Sequence, residues 1–131
     1  MNKIFKSEEE WKKQLSEDEY LVTRKKGTEP PFSGKIFNSN KEGLFKCICC
    51  DEILFHSNSK YESNSGWPSF FQSYSKDCIL KEIDKSHGMT RIEVLCNKCE
   101  SHLGHLFDDG PEPTGKRYCI NSLSLKFEEI E

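Results

Sequence analysis

Two Cys-x2-Cys pairs, Cys47-x2-Cys50 and Cys96-x2-Cys99, restrict this chain more than any other feature. A tight turn at that spacing lets two thiolates face one metal ion. Two such turns complete the tetrahedral, all-thiolate site that structural zinc prefers. The pairs stand far apart in sequence, so a shared ion closes a loop over much of the chain, and any fold must bring the two turns together. Structural zinc of this kind contributes about 10–16 kcal/mol of apparent binding energy to folding. One pair alone would suit a thioredoxin-like redox site, but no βαβ setting surrounds either. His102, shortly after Cys99, is an alternative ligand in place of one cysteine. Cys49 lies inside the first pair, and its adjacency to Cys50 is too tight for a chelating turn. Four thiolates leave no open position for water, so the expected zinc is structural, one per chain.

The rest of the composition fits a small stapled domain. A length of 131 residues suits a single domain over 1–131, and a hydrophobic fraction of 34% beside 31% charged residues gives it a modest core. The 19 basic and 22 acidic side chains are interspersed and leave a net charge of -3. That balance supplies no footprint for nucleic acid or an anionic membrane. The segment MNKIFKSEEEWKK has no apolar run of signal-peptide length and no Arg- and Ser-rich transit character. No later segment approaches a membrane span. The expected location is therefore cytoplasmic. In a reducing compartment, paired cysteines read as metal ligands or redox groups before they read as disulfides. There are seven cysteines, so at least one thiol stands outside any set of pairs.

Residues 1–26 read as a helical segment. Ser7 with Glu10, ahead of Trp11 and Leu15, makes a capping box, and Ser16 with Glu19 makes a second before Tyr20, Leu21 and Val22. Gly27, Pro30, Pro31 and Gly34 end helical order. Residues 31–127 then read as an antiparallel β domain. Its expected strands are Gly34–Phe37, Gly43–Ile48, Ile53–Phe55, Ile79–Asp84, Thr90–Leu95 and Tyr118–Phe127. Lys85–Gly88 makes a hairpin turn, and DDGPEPTG over Asp108–Gly115 makes an irregular loop.

With four cysteines given to zinc, Cys49, Cys78 and Cys119 remain. In RYCINSLSLKF the strand period of two puts Arg117, Cys119 and Asn121 on one face. A cation beside a thiol favours the reactive thiolate, and Asn121 can donate a hydrogen bond to it. Set against this, most free cysteines are small buried hydrophobes. His102 and His105, followed by Asp108 and Asp109, supply general acids near neutral pH. Trp67 in GWPSF is held extended by Pro68; it either caps the core or walls a pocket for a small apolar group.

KYESNSGWPSF, RIEVLCNKCESHLGHLFDDGPEPTG and RYCINSLSLKF, with the upstream CICC, resemble the B-type methionine-R-sulfoxide reductases from about Pro31 to Phe127. The resemblance implies a mainly β fold of two antiparallel sheets, a β-tent, with short N-terminal helices and a structural zinc opposite the active site. It makes Cys119 the catalytic thiol, with His102, His105, Asp109, Arg117 and Asn121 lining the pocket. Trp67 and Phe107 bind the substrate, the indole receiving its methyl. It further implies thiol-dependent reduction of methionine-R-sulfoxide in oxidised proteins or peptides. Cys119 attacks sulfur, a histidine acid assigned to His105 protonates the oxygen, and a Cys119 sulfenic acid results.

One position departs from the pattern. Many relatives carry a resolving cysteine directly before GWPSF, where this chain has Ser65. Either Cys78 resolves the sulfenic acid, or thioredoxin or a small thiol reduces it directly. Three other classes share parts of the sequence: a zinc-ribbon binding module, a zinc hydrolase with His102 and His105 as ligands, and a β-tent ligand-binding domain. The acidic balance, the closed thiolate set and the presence of Cys119 speak against each in turn.

Overall fold

Ser7 and Ser16 start the two helices. In the computed structural model, which describes residues 3–31, 33, 41–63 and 65–130, α1 runs over Glu8–Gln14 and α2 over Glu17–Lys25. Each serine hydroxyl accepts the N–H of the residue three ahead, and that residue's glutamate returns the bond to the serine N–H. Both capping boxes are therefore complete. Trp11 and Leu15 are buried, with the Arg24 guanidinium 4.5 Å over the Trp11 ring. Helix α2 ends at Lys26, a left-handed residue (φ 60) that turns the chain towards the β domain.

Among the described residues nine strands follow: β1 Gly43–Cys47, β2 Ile53–His56, β3 Lys60–Tyr61, β4 Ser69–Phe70, β5 Ile79–Asp84, β6 Arg91–Cys96, β7 His102–Phe107, β8 Arg117–Ile120 and β9 Leu125–Glu129. They form two antiparallel sheets. The smaller is ordered β2-β1-β9 and the larger β3-β4-β8-β7-β6-β5. Phe45 and Phe55 of the small sheet meet Phe70 and Tyr118 of the large one. Their ring centroids lie 4.3 Å apart for Phe55–Phe70, 5.0 Å for Phe45–Phe70 and 5.6 Å for Phe55–Tyr118. This aromatic layer is the centre of the core. A mainly β fold of two antiparallel sheets with short N-terminal helices is what the sequence predicts.

Three differences have local causes. The expected single strand over Tyr118–Phe127 is two strands in different sheets. The Asn121 N–H bonds the Leu103 carbonyl (2.9 Å), and a 3-10 turn over Ser122–Ser124 carries the chain across. Strand β7 was read as chemistry because its histidines and glycine hide the alternation, and a register shift between Val94 and Leu95 breaks the period. The third difference is that β3 and β4, two residues each, are too short to leave a periodic signal. The expected strand Gly34–Phe37 lies outside the described residues. Among those described, no helix is long and apolar enough to cross a membrane.

Candidate active site and metal centre

The two Cys-x2-Cys turns are built alike. Cys47 ends β1 and Cys96 ends β6. The N–H of Asp51 closes the first turn onto the Cys47 carbonyl (2.9 Å), and that of Glu100 closes the second onto Cys96 (2.8 Å). Asp51 and Glu100 both take positive φ, 65 and 59. Cys47 N–H then bonds Glu52 and Cys96 N–H bonds Ser101. The sulfurs of Cys47, Cys50, Cys96 and Cys99 all lie within 4.8 Å of one another, with Cys47–Cys99 and Cys50–Cys96 each at 3.6 Å. Four sulfurs about 2.3 Å from a tetrahedral ion lie about 3.8 Å apart, so the spacing and the donor set fit a metal ion held by the four thiolates. His102 stays outside the cluster. Cys49 is buried beside it, with its carbonyl accepting from Gln14 Nε2 (2.7 Å).

Strand register assembles the second site. Phe70 and Tyr118 point to the aromatic core, so the period of two sends Ser69 and Cys119 to the opposite face of the large sheet. There Ser69, Cys119, His105, Glu93 and Glu82 are successive cross-strand partners in one row. Cys119 and His105 are directly opposed, which brings their backbones within about 5 Å. Gly104 allows this closeness: a Cβ there would collide with the Cys119 carbonyl. In the neighbouring row Arg117 opposes Phe107, and its guanidinium stacks 4.3 Å over that ring. Arg117 also holds both Asp109 oxygens, at 2.7 and 3.2 Å.

Each histidine is oriented by a carboxylate. His105 Nε2 lies 2.8 Å from Asp84 Oδ2, while the Ser86 N–H donates to Asp84 Oδ1 at 2.9 Å. The bonds from Ser86, then that from His105, hold the Asp84 carboxyl well below the usual carboxylate range. His102 Nδ1 lies 2.7 Å from buried Glu93 Oε2, and Glu93 Oε1 accepts from Lys26 Nζ at 3.1 Å. Burial pulls the His102 ring below its ordinary value despite Glu93. Cys119 is half-buried. Burial pushes its thiol up, and the Arg117 charge with hydrogen bonds from Ser65 and Arg117 only partly offsets this. The favourable cation expected from the sequence is therefore present, but desolvation outweighs it.

Trp67 stands beside this row. Its Nε1 donates to the Glu29 carbonyl (2.9 Å), and the next carbonyl, that of Pro68, accepts from Ile120 N–H of β8 (2.9 Å). The hydroxyls of Ser63, Ser65 and Ser69 form a chain, with Ser63–Ser65 at 2.8 Å and Ser63–Ser69 at 2.6 Å. Asn121 sits elsewhere than the strand pattern suggests, and Cys78 lies apart from the thiol it was expected to approach. Asn121 is buried past the end of β8, its amide spent on Leu103 O (3.0 Å) and Glu29 N (3.0 Å), so it braces the site rather than facing the thiol. Cys78 is buried at the outer end of the sheet, donating to Ser75 O (3.2 Å), while its carbonyl accepts from Asn97. Three strands and four residues separate it from the Cys119 row, roughly 20 Å.

Sequence reasoning did not single out Asp84, Glu93, Lys26 or Glu29. The first two belong to the expected hairpin of Ile79–Asp84 with Thr90–Leu95, but only the pairing of β7 beside it brings them to the histidines. Glu29 gave no signal, lying in a Pro-rich loop far from the motifs.

Comparison with protein-family models matches the SelR domain over residues 15–129. The chain belongs to the SelR family. Relatives named peptide methionine sulfoxide reductase MsrB match along nearly the whole chain. That from Hahella chejuensis is 53% identical, covering 100% of this chain and 94% of the relative. Those from Methanosarcina mazei (53%, covering 99% and 93%) and Leptospira interrogans (52%, covering 96% of each) are similar. Membership places the chain among the oxidoreductases named peptide methionine sulfoxide reductase. The crystal structure of the Mis18 'Yippee-like' domain superposes with a TM-score of 0.56 at 16% identity, covering 70% of this chain and 99% of that one. It shares the fold alone.

Proposed function

We propose that this SelR-family chain reduces methionine-R-sulfoxide in oxidised proteins or peptides through Cys119, with His105 as the acid. The observation that carries the reading is the row itself: a thiol and an imidazole directly opposed across β8 and β7, with the far ring nitrogen held by Asp84. With Nε2 so engaged, Nδ1 is left to serve the substrate oxygen. The Cys119 thiolate attacks the sulfoxide sulfur while His105 delivers a proton to the oxygen, which otherwise leaves poorly. A bond forms between the two sulfurs; as it breaks, the protonated oxygen passes to the Cys119 sulfur as hydroxyl, methionine departs two electrons reduced, and Cys119 is left as a sulfenic acid. The indole of Trp67 and the ring of Phe107 receive the apolar part of the substrate. Arg117, held by Asp109 and Phe107, keeps positive charge near the developing thiolate.

For recycling we propose direct reduction by thioredoxin or a small thiol. One external thiol condenses with the sulfenic acid, releasing water and forming a mixed disulfide, and a second thiol displaces Cys119 from it. The position of Cys78 at the far end of the sheet and the hydroxyl of Ser65 support this route over an internal disulfide. Cys47, Cys50, Cys96 and Cys99 would hold one zinc ion, whose four thiolates leave it no place in the chemistry. Parallel assays on the two sulfoxide epimers, with dithiothreitol and with thioredoxin, test the reading. Turnover of the R epimer only, abolished in Cys119→Ser, is expected; near-normal activity of Cys119→Ser would overturn it.

A further inference from the structure

Glu29 is only 2% exposed, yet it belongs to a loop between the helical segment and the β domain. Every polar group it carries but one is engaged with the neighbourhood of the proposed site. Its carbonyl accepts from Trp67 Nε1 at 2.9 Å. Its N–H donates to Asn121 Oδ1 at 3.0 Å. Its carboxylate oxygen Oε1 accepts from the Leu123 N–H at 2.9 Å. Among the described residues Oε2, equally buried, has no hydrogen-bond partner. A carboxylate buried with one oxygen unsatisfied is costly, and an apolar or amide side chain would fill the place at less expense. A loop tie alone needs only the Oε1 bond.

The bonds run to both sides of Cys119. Asn121 and Leu123 follow it in the chain, and Trp67 precedes Ser69, its cross-strand partner. We propose that Glu29 is a positioning residue for sulfoxide reduction: it fixes the Trp67 indole against the substrate methyl and sets a buried negative charge behind Cys119. The charge opposes Arg117, in keeping with the upward push that Glu29 exerts on the Cys119 thiol. This inference rests on the roles proposed above for Cys119 and Trp67.

Two substitutions separate the tie from the charge. Glu29→Gln keeps an oxygen for Leu123 N–H and removes the charge. Its KM for a methionine-R-sulfoxide peptide should stay at the parental value. The pH profile of Cys119 alkylation by iodoacetamide should move to lower pH, with a faster rate at pH 7 than in the parent. Glu29→Ala removes the tie as well, and KM should rise about tenfold with a smaller change in kcat. A structural tie without the charge role would leave the alkylation profile of Glu29→Gln unmoved. That result, or a folded Glu29→Ala with parental KM, overturns the inference. If Glu29→Ala does not fold, the Glu29→Gln profile still decides. Measuring Cys119→Ser alongside keeps the two readings apart: activity surviving there counts against the proposed nucleophile, whereas its loss with unaffected Glu29 variants counts against Glu29 alone.

Discussion

At the residue scale, Cys119 lies between burial, which favours its thiol, and Arg117, which favours its thiolate. Because burial wins, alkylation of Cys119 should be slow at neutral pH and should rise as pH climbs through and beyond the ordinary thiol range. Arg117→Met removes the offsetting charge and should move that profile further up; a downward move would contradict the balance described. His105→Gln should lower the single-turnover rate by a factor on the order of 10²–10⁴, the usual contribution of a general acid. Asp84→Asn should lower it by less, since the ring remains and only its anchor is weakened. Single-turnover methionine yields would show both losses. In contrast, Cys78→Ser should leave that yield at the parental value. Spacing alone makes the four clustered cysteines legible in the sequence, whereas the role proposed for Cys119 is what the family resemblance implies. The orienting carboxylates belong to register, which single residues do not reveal.

Among the elements, β7 and β8 matter most, because their pairing sets the distance between His105 and Cys119. Gly104→Ala should force these strands apart at the Cys119 carbonyl. We expect a destabilised protein whose remaining folded fraction has lost more activity than stability, measured by chemical denaturation beside single-turnover assays. Ser16→Ala, by comparison, removes one cap and should cost about 1 kcal/mol with the site intact. The expected strands Ile79–Asp84 and Thr90–Leu95 agree with β5 and β6 to within a residue, and both capping boxes are visible as short patterns. The turn at Asn121 was not, since what breaks the strand is a bond to Leu103, a residue brought near only by the finished sheet.

At the scale of the molecule, the four-sulfur cluster joins β1 of the small sheet to β6 of the large one, and the helices rest on it. Arg24 donates to the Cys99 carbonyl at 2.8 Å, and Ile4 N–H bonds Lys98. If zinc fills the cluster, one ion should co-purify per chain and chelation should unfold the protein. A metal-free protein of parental Tm would count against the staple. Mass spectrometry after one turnover without reductant should find Cys119 as a sulfenic acid and no Cys78–Cys119 disulfide. The sequence alone could place two knuckles on one ion, but not the way that the loop after α2 passes from the zinc end to the thiol. That passage has a kinetic consequence. Glu29 meets Leu123 across 94 residues of chain. During synthesis the Glu29 carboxylate and the Trp67 indole wait for the turn after β8, which is made long after them. The reactive thiol therefore acquires its surroundings in a late, non-local step, the kind that slows folding. Until the Glu29 loop has closed onto Leu123, Cys119 lacks those surroundings, and oxidants present at that moment meet it without its pocket.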